Sequence, residues 1–416
     1  MNKVTDITAL LPEMKTGMDL QNALQILPPY NEKIRNESTA IRLMALSELY
    51  NVYVPSAMST EIYNKLYLAL IRSLQKKGTH KAIQQQYENF RRIRQYEYNS
   101  IMGGADSFTI IGTSGIGKSS AINRAISLIC EKRIIEIDEP YAKIVSCVVV
   151  QCPFDASVKG FVLEILRKVD ECLDTKYYDK AVKARATTDM LIGSVSQIAL
   201  NHIGLLVVDE IQNVCNNKNG KHLVGMLTQL INNSGVSICM VGTPECKQFF
   251  EQRMQLARRS LGLQYSEMPY NAEFKRLCEI IFEYQYIKNK AAVSDAMIEW
   301  LYEHSAGIVS IVVSLMHDAQ EIAILQGWEI LNMKTFNLAY QQRIELLHEY
   351  IQPAIIHTQQ TSKPKKKVTA ADLDLRDIQE MDETISIEEL AAEAKSTNKD
   401  ILAILKEHIT IVEVAV

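Results

Sequence analysis

Four short runs of apolar, mostly β-branched residues stand out between positions 105 and 245: Phe108 to Ile111, Ile144 to Val150, Leu205 to Val208 and Val236 to Val241. They show no polar alternation, so they predict strands of a parallel sheet buried on both faces. Between them, apolar residues recur at helical spacing over Ser119 to Glu131, Ser157 to Leu173, Thr188 to Ala199 and Lys221 to Ile231. Strand and helix patterns in turn predict a doubly wound α/β fold. The flanks read differently. Ile41 to Leu46 and Ile62 to Leu74 are helical in pattern, with an extended break at Val52-Tyr53-Val54-Pro55. Residues 271–350 are helical again and carry no strand pattern. No internal repeat is visible.

Charge changes this picture at the C-terminus. The 416 residues carry 45 Lys+Arg and 49 Asp+Glu, a net charge of -4. Residues 371–416 alone are net -8, which leaves 1–370 at net +4. A basic linker, Lys363-Pro364-Lys365-Lys366-Lys367, joins the two. The acidic tail still holds spaced apolar residues such as Leu390, Ile401, Leu402 and Leu405. It reads either as a flexible tail or as a partner-binding segment that orders on docking. A second basic stretch, Arg72 to Arg94, has seven bases, one acid (Glu88) and interleaved Tyr87 and Phe90. It is either a solvated helix face or a phosphate contact.

No apolar run approaches the roughly 18 residues that a membrane span needs, and no apolar signal core follows Met1. The eight cysteines show no C-x-x-C spacing and sit mostly in apolar surroundings. Together these predict a cytoplasmic protein with core thiols and no membrane association.

The chemistry is concentrated in two segments. Gly112-Thr113-Ser114-Gly115-Ile116-Gly117-Lys118-Ser119 fits G-x-x-x-x-G-K-[ST], and Ser120 continues it into the predicted helix. Glycines let backbone N–H groups converge on phosphate oxygens, and the helix N-terminus favours the anion. Lys118 is expected to neutralise the β- and γ-phosphates of ATP, and the Ser119 hydroxyl to coordinate Mg²⁺. About ninety residues on, Leu205-Leu206-Val207-Val208-Asp209-Glu210 delivers two carboxylates to the sheet edge. Asp209 is expected to hold the metal through water, and Glu210 to orient and deprotonate the attacking water. Thr243, at the end of the next strand, either bonds the water or phosphate, or caps the following helix, or both. Arg258 and Arg259 are read either as a finger reaching a neighbour's site or as a solvated helix end.

The order of motifs and the helical domain after them resemble an AAA+ ATPase. Within that superfamily the chain is similar to TnsC/TniB-type regulators of bacterial DNA transposition. The resemblance rests on Tyr53-Val54-Pro55 in its helical setting, on Val148 to Pro153 with Ser157 to Phe161, and on Asp209-Glu210-Ile211-Gln212-Asn213 with Val241-Gly242-Thr243-Pro244-Glu245. It covers residues 30–330 and implies an organisation. Residues 1–80 would form an N-terminal helical segment, 81–270 the α/β ATPase core, 271–355 a helical lid, and 356–416 the linker and tail.

It also implies ATP hydrolysis, head-to-tail homo-oligomers (rings or filaments) on double-stranded DNA, and a link between a target-selection protein and the transposase. Arg258 or Arg259 would then act in trans, and Lys159 and Ser157 with nearby N–H groups would meet DNA phosphates. One departure matters. Ala306-Gly307-Ile308-Val309-Ser310 lacks the arginine that many AAA+ proteins carry there, which implies slow hydrolysis. The competing readings are an NTP-switched interaction module that ignores DNA and a helicase-loader-type ATPase.

Overall fold

The computed structural model describes residues 7–77, 107–137, 142–215, 217–251 and 262–344. Its centre is a sheet of β1 (Phe108–Gly112), β2 (Ile134–Ile137), β3 (Ala142–Gln151), β4 (Ile203–Asp209), β5 (Ser237–Gly242) and β6 (Leu263–Tyr265). The strand order is β2-β3-β4-β5-β1-β6. β5 lies between β1 and β4, pairing Ile111 with Gly242 and Val208 with Met240. The C-terminal ends of these three strands therefore share one edge. All pairings are parallel except β2–β3, which is antiparallel. The four strands expected from the sequence pair in parallel, and β2 is an antiparallel strand added at the edge. Asp138-Glu139-Pro140-Tyr141 is too short for a crossover, so the chain returns beside itself.

The central strands are buried along nearly their whole length, as their largely apolar runs predict. Alternate residues serve two cores. Leu206, Val208, Ile238 and Met240 pack with Phe161, Ile165, Val195 and Leu227. Those partners come from α5 (Val158–Leu173), α7 (Thr188–His202) and α8 (Gly220–Ser234). α6 (Tyr177–Lys183) continues from α5. Leu205, Val207, Cys239 and Val241 pack with Leu24, Ile62, Leu66 and Ile122. These come from α1 (Gly17–Leu24), α3 (Ala57–Lys77) and α4 (Lys118–Ile129). Each fully buried aliphatic side chain contributes about 1.5–3 kcal/mol.

A third core lies in the lid: α10 (Ala272–Phe282), α11 (Asp295–Ser305), α12 (Val309–Leu325) and α13 (Met333–Ala339). Side-chain caps at Asn271, Ser294 and Asn332 start three of these helices. Leu46 and Leu49 join this core from the N-terminal side, just after α2 (Thr39–Ala45). Arg42, at the same place, is buried and forms a two-pronged pair with Glu329, at 2.6 and 2.7 Å. The N-terminal residues are thus divided. α1 and α3 pack on the sheet, and the stretch from Tyr30 to Val54 packs on the lid.

Of the basic stretch at 72–94, Lys77 has a different role from either one expected. Its ammonium is buried and donates to the carbonyls of Ala199 and Leu200 at the end of α7. Burial lowers its pKa to about 7. Residues 78–94, the tail and the linker lie outside the described residues. Among the described residues no single helix is long and apolar enough to cross a membrane, and the most apolar, α12, is largely buried in the lid.

Candidate functional site: a nucleotide cleft at the sheet edge

β1 ends at Gly112 and α4 begins at Lys118, so the loop between them turns tightly. Gly115 and Gly117 have φ of 82° and 95°, which side-chain-bearing residues rarely adopt. Gly115 is also crowded, since a Cβ there would meet Ser310 Oγ at 2.4 Å. The Lys118 ammonium folds back onto the carbonyls of Gly112 and Thr113, at 2.6 and 2.7 Å. Burial lowers its pKa, and Asp209 and Glu210 partly oppose that shift. A bound polyphosphate would restore the charged form and offer better acceptors than two carbonyls.

Ser119 Oγ donates to Asp209 Oδ2 at 3.1 Å. Asp209 Oδ1 accepts the backbone N–H of Glu210 at 2.9 Å, and Glu210 has a left-handed φ of 57°. That turn releases the chain from β4 and leaves the Glu210 side chain exposed. Gln212, which sequence reasoning did not select, donates its amide to Glu210 Oε2. Thr243 follows β5 and lines the same cavity as these groups. Its Oγ1 is buried and has no hydrogen-bond partner among the described residues, as is also true of Gln212 Oε1. The Thr243 hydroxyl therefore does not cap the helix α9 (Cys246–Glu251); its carbonyl accepts the Cys246 N–H instead.

Ser114, Gly115, Gly117, Lys118, Ser119, Ser120, Asp209, Glu210, Gln212, Thr243 and Ser310 line one cavity of about 270 Å³. A second cavity of the same size shares Gly115, Gly117, Ser120 and Ser310 with it. Its remaining wall is more apolar and includes Tyr53, Val54, Ile116, Met268, Val309 and Val313. Nothing in the extended break at 52–55 revealed this wall, because it needs both the N-terminal stretch and the lid. One polar and one apolar chamber on either side of a phosphate loop suit a nucleotide, with phosphates in the first and base in the second.

The segment that lacks the expected arginine touches the loop directly, the Ser310 N–H donating to the Gly115 carbonyl at 3.0 Å. Arg258 and Arg259 lie outside the described residues. Ser157 caps α5 by accepting the Gly160 N–H, and Lys159 is exposed on the first turn. Elsewhere, ligand atoms of His317, Asp318 and Glu321 lie within 4.8 Å of one another. His317 is hydrogen-bonded to Asp318 and Glu321 to Arg343, so these groups are engaged within the fold.

Residues 71–268 match the family model of the bacterial TniB protein. No curated protein matches the chain. Among solved structures, Drosophila ORC bound to DNA is similar at 14% identity over 81% of this chain and 72% of that one, with a TM-score of 0.44. The Aeropyrum pernix ORC2 protein in ADPNP and ADP complexes gives 14% identity, 63% and 67% coverage, and a TM-score of 0.42. Domain III of the Thermotoga maritima replication initiation protein DnaA gives 12% identity, 62% and 91% coverage, and a TM-score of 0.37. The phosphate loop and the pair of carboxylates both lie within residues 71–268, and the match supports a chain of TniB/TnsC type.

Proposed function

We propose that the protein binds and hydrolyses ATP, and that ATP drives its assembly into a head-to-tail oligomer on double-stranded DNA. The assembly would link a target-selection protein to a transposase. The observation that carries the nucleotide part is the convergence of Lys118, Ser119, Asp209, Glu210 and Thr243 on one cleft.

In this reading the triphosphate replaces the Gly112 and Thr113 carbonyls as the partner of Lys118. Adenine enters the apolar chamber beside Tyr53, Val54 and Val313. Ser119 and Asp209 offer hard oxygen donors 3.1 Å apart, a set that fits Mg²⁺. When bound, that ion would neutralise charge on the phosphates. Glu210 orients a water and takes its proton as the water oxygen attacks the γ-phosphorus. The bond from that phosphorus to the β–γ bridging oxygen breaks, and ADP and phosphate leave. Thr243 Oγ1, otherwise unpaired, bonds the water or the γ-phosphate. The lid is tied to the phosphate loop through Ser310 and Gly115, so loading the cleft bears on lid position. An arginine from a neighbour, Arg258 or Arg259, would add charge stabilisation in trans.

The DNA part is supported by the family resemblance and by Lys159 and Ser157 at the start of α5. Backbone contact of this kind reads shape and charge, so affinity should fall steeply with salt and vary little with sequence. The transposase and target-selection links follow from the resemblance. Electron microscopy of the protein with an ATP analogue and duplex DNA tests the reading. Ordered oligomers around DNA are expected, and nucleotide-dependent oligomers that exclude DNA would contradict the DNA part.

A further inference from the structure

We propose that the loop at 152–160 and the residues at 211–215 and 217–222 form one bolted surface that meets duplex DNA through Phe154, Lys218 and Lys221 as well as Lys159. This rests on the DNA reading above and specifies which side chains carry it.

Three asparagines join the two segments. Asn213 donates its side-chain amide to the Cys152 carbonyl at 2.9 Å, Asn217 to the Phe154 carbonyl at 2.5 Å, and Asn219 to the Asp155 carbonyl at 3.3 Å. Asn217 also donates to the Asn213 carbonyl at 3.1 Å, which ties the second segment to itself. The first loop is braced further. Asp155 Oδ1 accepts the Ser157 N–H at 3.0 Å, and Ala156 is buried at a left-handed φ of 49°. The carbonyls and the one carboxylate of this loop are thus engaged within the fold.

What the brace presents outward is different. Phe154 is 86% exposed, more than any other large apolar side chain among the described residues. A loop held by this many hydrogen bonds has no folding reason to leave a phenyl ring in water. The ring belongs to none of the three cores. Lys159 is exposed on one segment, and Lys218 and Lys221 on the other. Residues 211–222 contain no acid, and the only acid in 152–160 is the engaged Asp155.

Cations flanking a rigid aromatic tip fit a duplex. The lysines meet phosphates on either side of the minor groove, and the ring presses against a base step. The surface also begins beside the nucleotide. The Asn213 N–H bonds the Glu210 carbonyl, and the Cys152 N–H bonds the Asp209 carbonyl. Asp209 and Glu210 are therefore hydrogen-bonded through their backbone to both segments of this surface.

Salt titration of duplex binding by the full chain, loaded with a non-hydrolysable ATP analogue, separates the parts. The double variant Lys218→Ala/Lys221→Ala should lower the slope of log affinity against log salt by about 2. Phe154→Ala should weaken binding about tenfold at every salt concentration and leave the slope unchanged. Both variants should bind the nucleotide analogue like the wild type, which reports that the fold is intact. Wild-type binding with both variants unchanged in affinity and slope overturns this surface alone. So does a Phe154→Ala variant that binds duplex normally but no longer self-associates, since the ring then serves a protein contact. A wild-type chain that binds no duplex overturns the DNA reading and this surface with it.

Discussion

Ser119 and Asp209 are ninety residues apart in the chain and 3.1 Å apart in the fold. The contact exists because β5 slots between β1 and β4 and brings the ends of all three strands to one edge. It joins the hydroxyl after the phosphate-loop lysine to the first carboxylate of the acidic pair, the two groups expected to share a metal ion.

Removing either partner should therefore act through the metal. Ser119→Ala and Asp209→Ala should each lower metal affinity in the nucleotide complex by roughly 10- to 100-fold. Nucleotide titrations with and without Mg²⁺ check this. Wild type should gain affinity from the ion, and the variants should lose most of that gain while keeping metal-free binding.

Gln212 donates to one oxygen, Oε2, of the exposed Glu210 carboxylate. A carboxylate fixed in this way is oriented for proton transfer. Gln212→Ala should lower kcat about tenfold and leave the KM for ATP nearly unchanged, because a misplaced base costs catalysis and not binding. Steady-state hydrolysis reads both constants. An equal rise in KM would mean that Gln212 holds the nucleotide itself.

The Arg42–Glu329 pair ties the N-terminal stretch to the lid, with the Arg42 side chain only 1% exposed. Arg42→Ala removes the cation from a buried pair and should destabilise the protein by about 3 kcal/mol. The pH dependence has a defined sign. Hydrogen bonding from Arg42 holds the Glu329 pKa below the ordinary glutamate value of 4.5. A carboxyl with a depressed folded pKa contributes stability that is complete above its unfolded pKa. That contribution is lost as the pH falls below 4.5 and through the folded value. Denaturant melts of wild type and Arg42→Ala should therefore differ most near neutrality and converge in acid.

The acidic segment 371–416 repels DNA yet keeps apolar residues at Leu390, Ile401, Leu402 and Leu405. Deleting it should leave ATP hydrolysis and ATP-dependent DNA assembly nearly intact while impairing recruitment of the transposase. Pull-down of the transposase by full-length and truncated chains measures this. If truncation instead abolishes solubility or nucleotide binding, the segment belongs to the fold.

Much of this site is legible in the order of residues alone. Leu205–Val208 is apolar throughout, and Phe108–Ile111 and Val236–Val241 are apolar but for Thr109 and Ser237, because both faces of the strand are covered. The phosphate loop is readable because its chemistry needs glycine at fixed places. β2 and β6 are not, since four- and three-residue edge strands with Glu136 or Gln264 facing outward carry no such run.

Lys77 reads as one more surface cation, because only the fold brings it to the end of α7. Ser310 contributes a backbone N–H, a group that every residue but proline has, so its side chain gives no signal. The apolar chamber is assembled from residues 50–59 and 309–314, and neither stretch contains the other's half.

ATP bound at this cleft, and not its hydrolysis, is expected to drive assembly on DNA. Electron microscopy and sedimentation of wild type, Lys118→Ala and Glu210→Gln with ATP and duplex DNA test it most directly. Lys118→Ala should form no ATP-dependent assemblies, because the β- and γ-phosphates lose their fixed cation. Glu210→Gln should bind ATP, assemble on DNA and persist, because only water activation is lost, a defect of about 10²–10⁴ in turnover. Equal loss of nucleotide binding in both variants, or DNA assembly by Lys118→Ala at the wild-type level, would contradict the account.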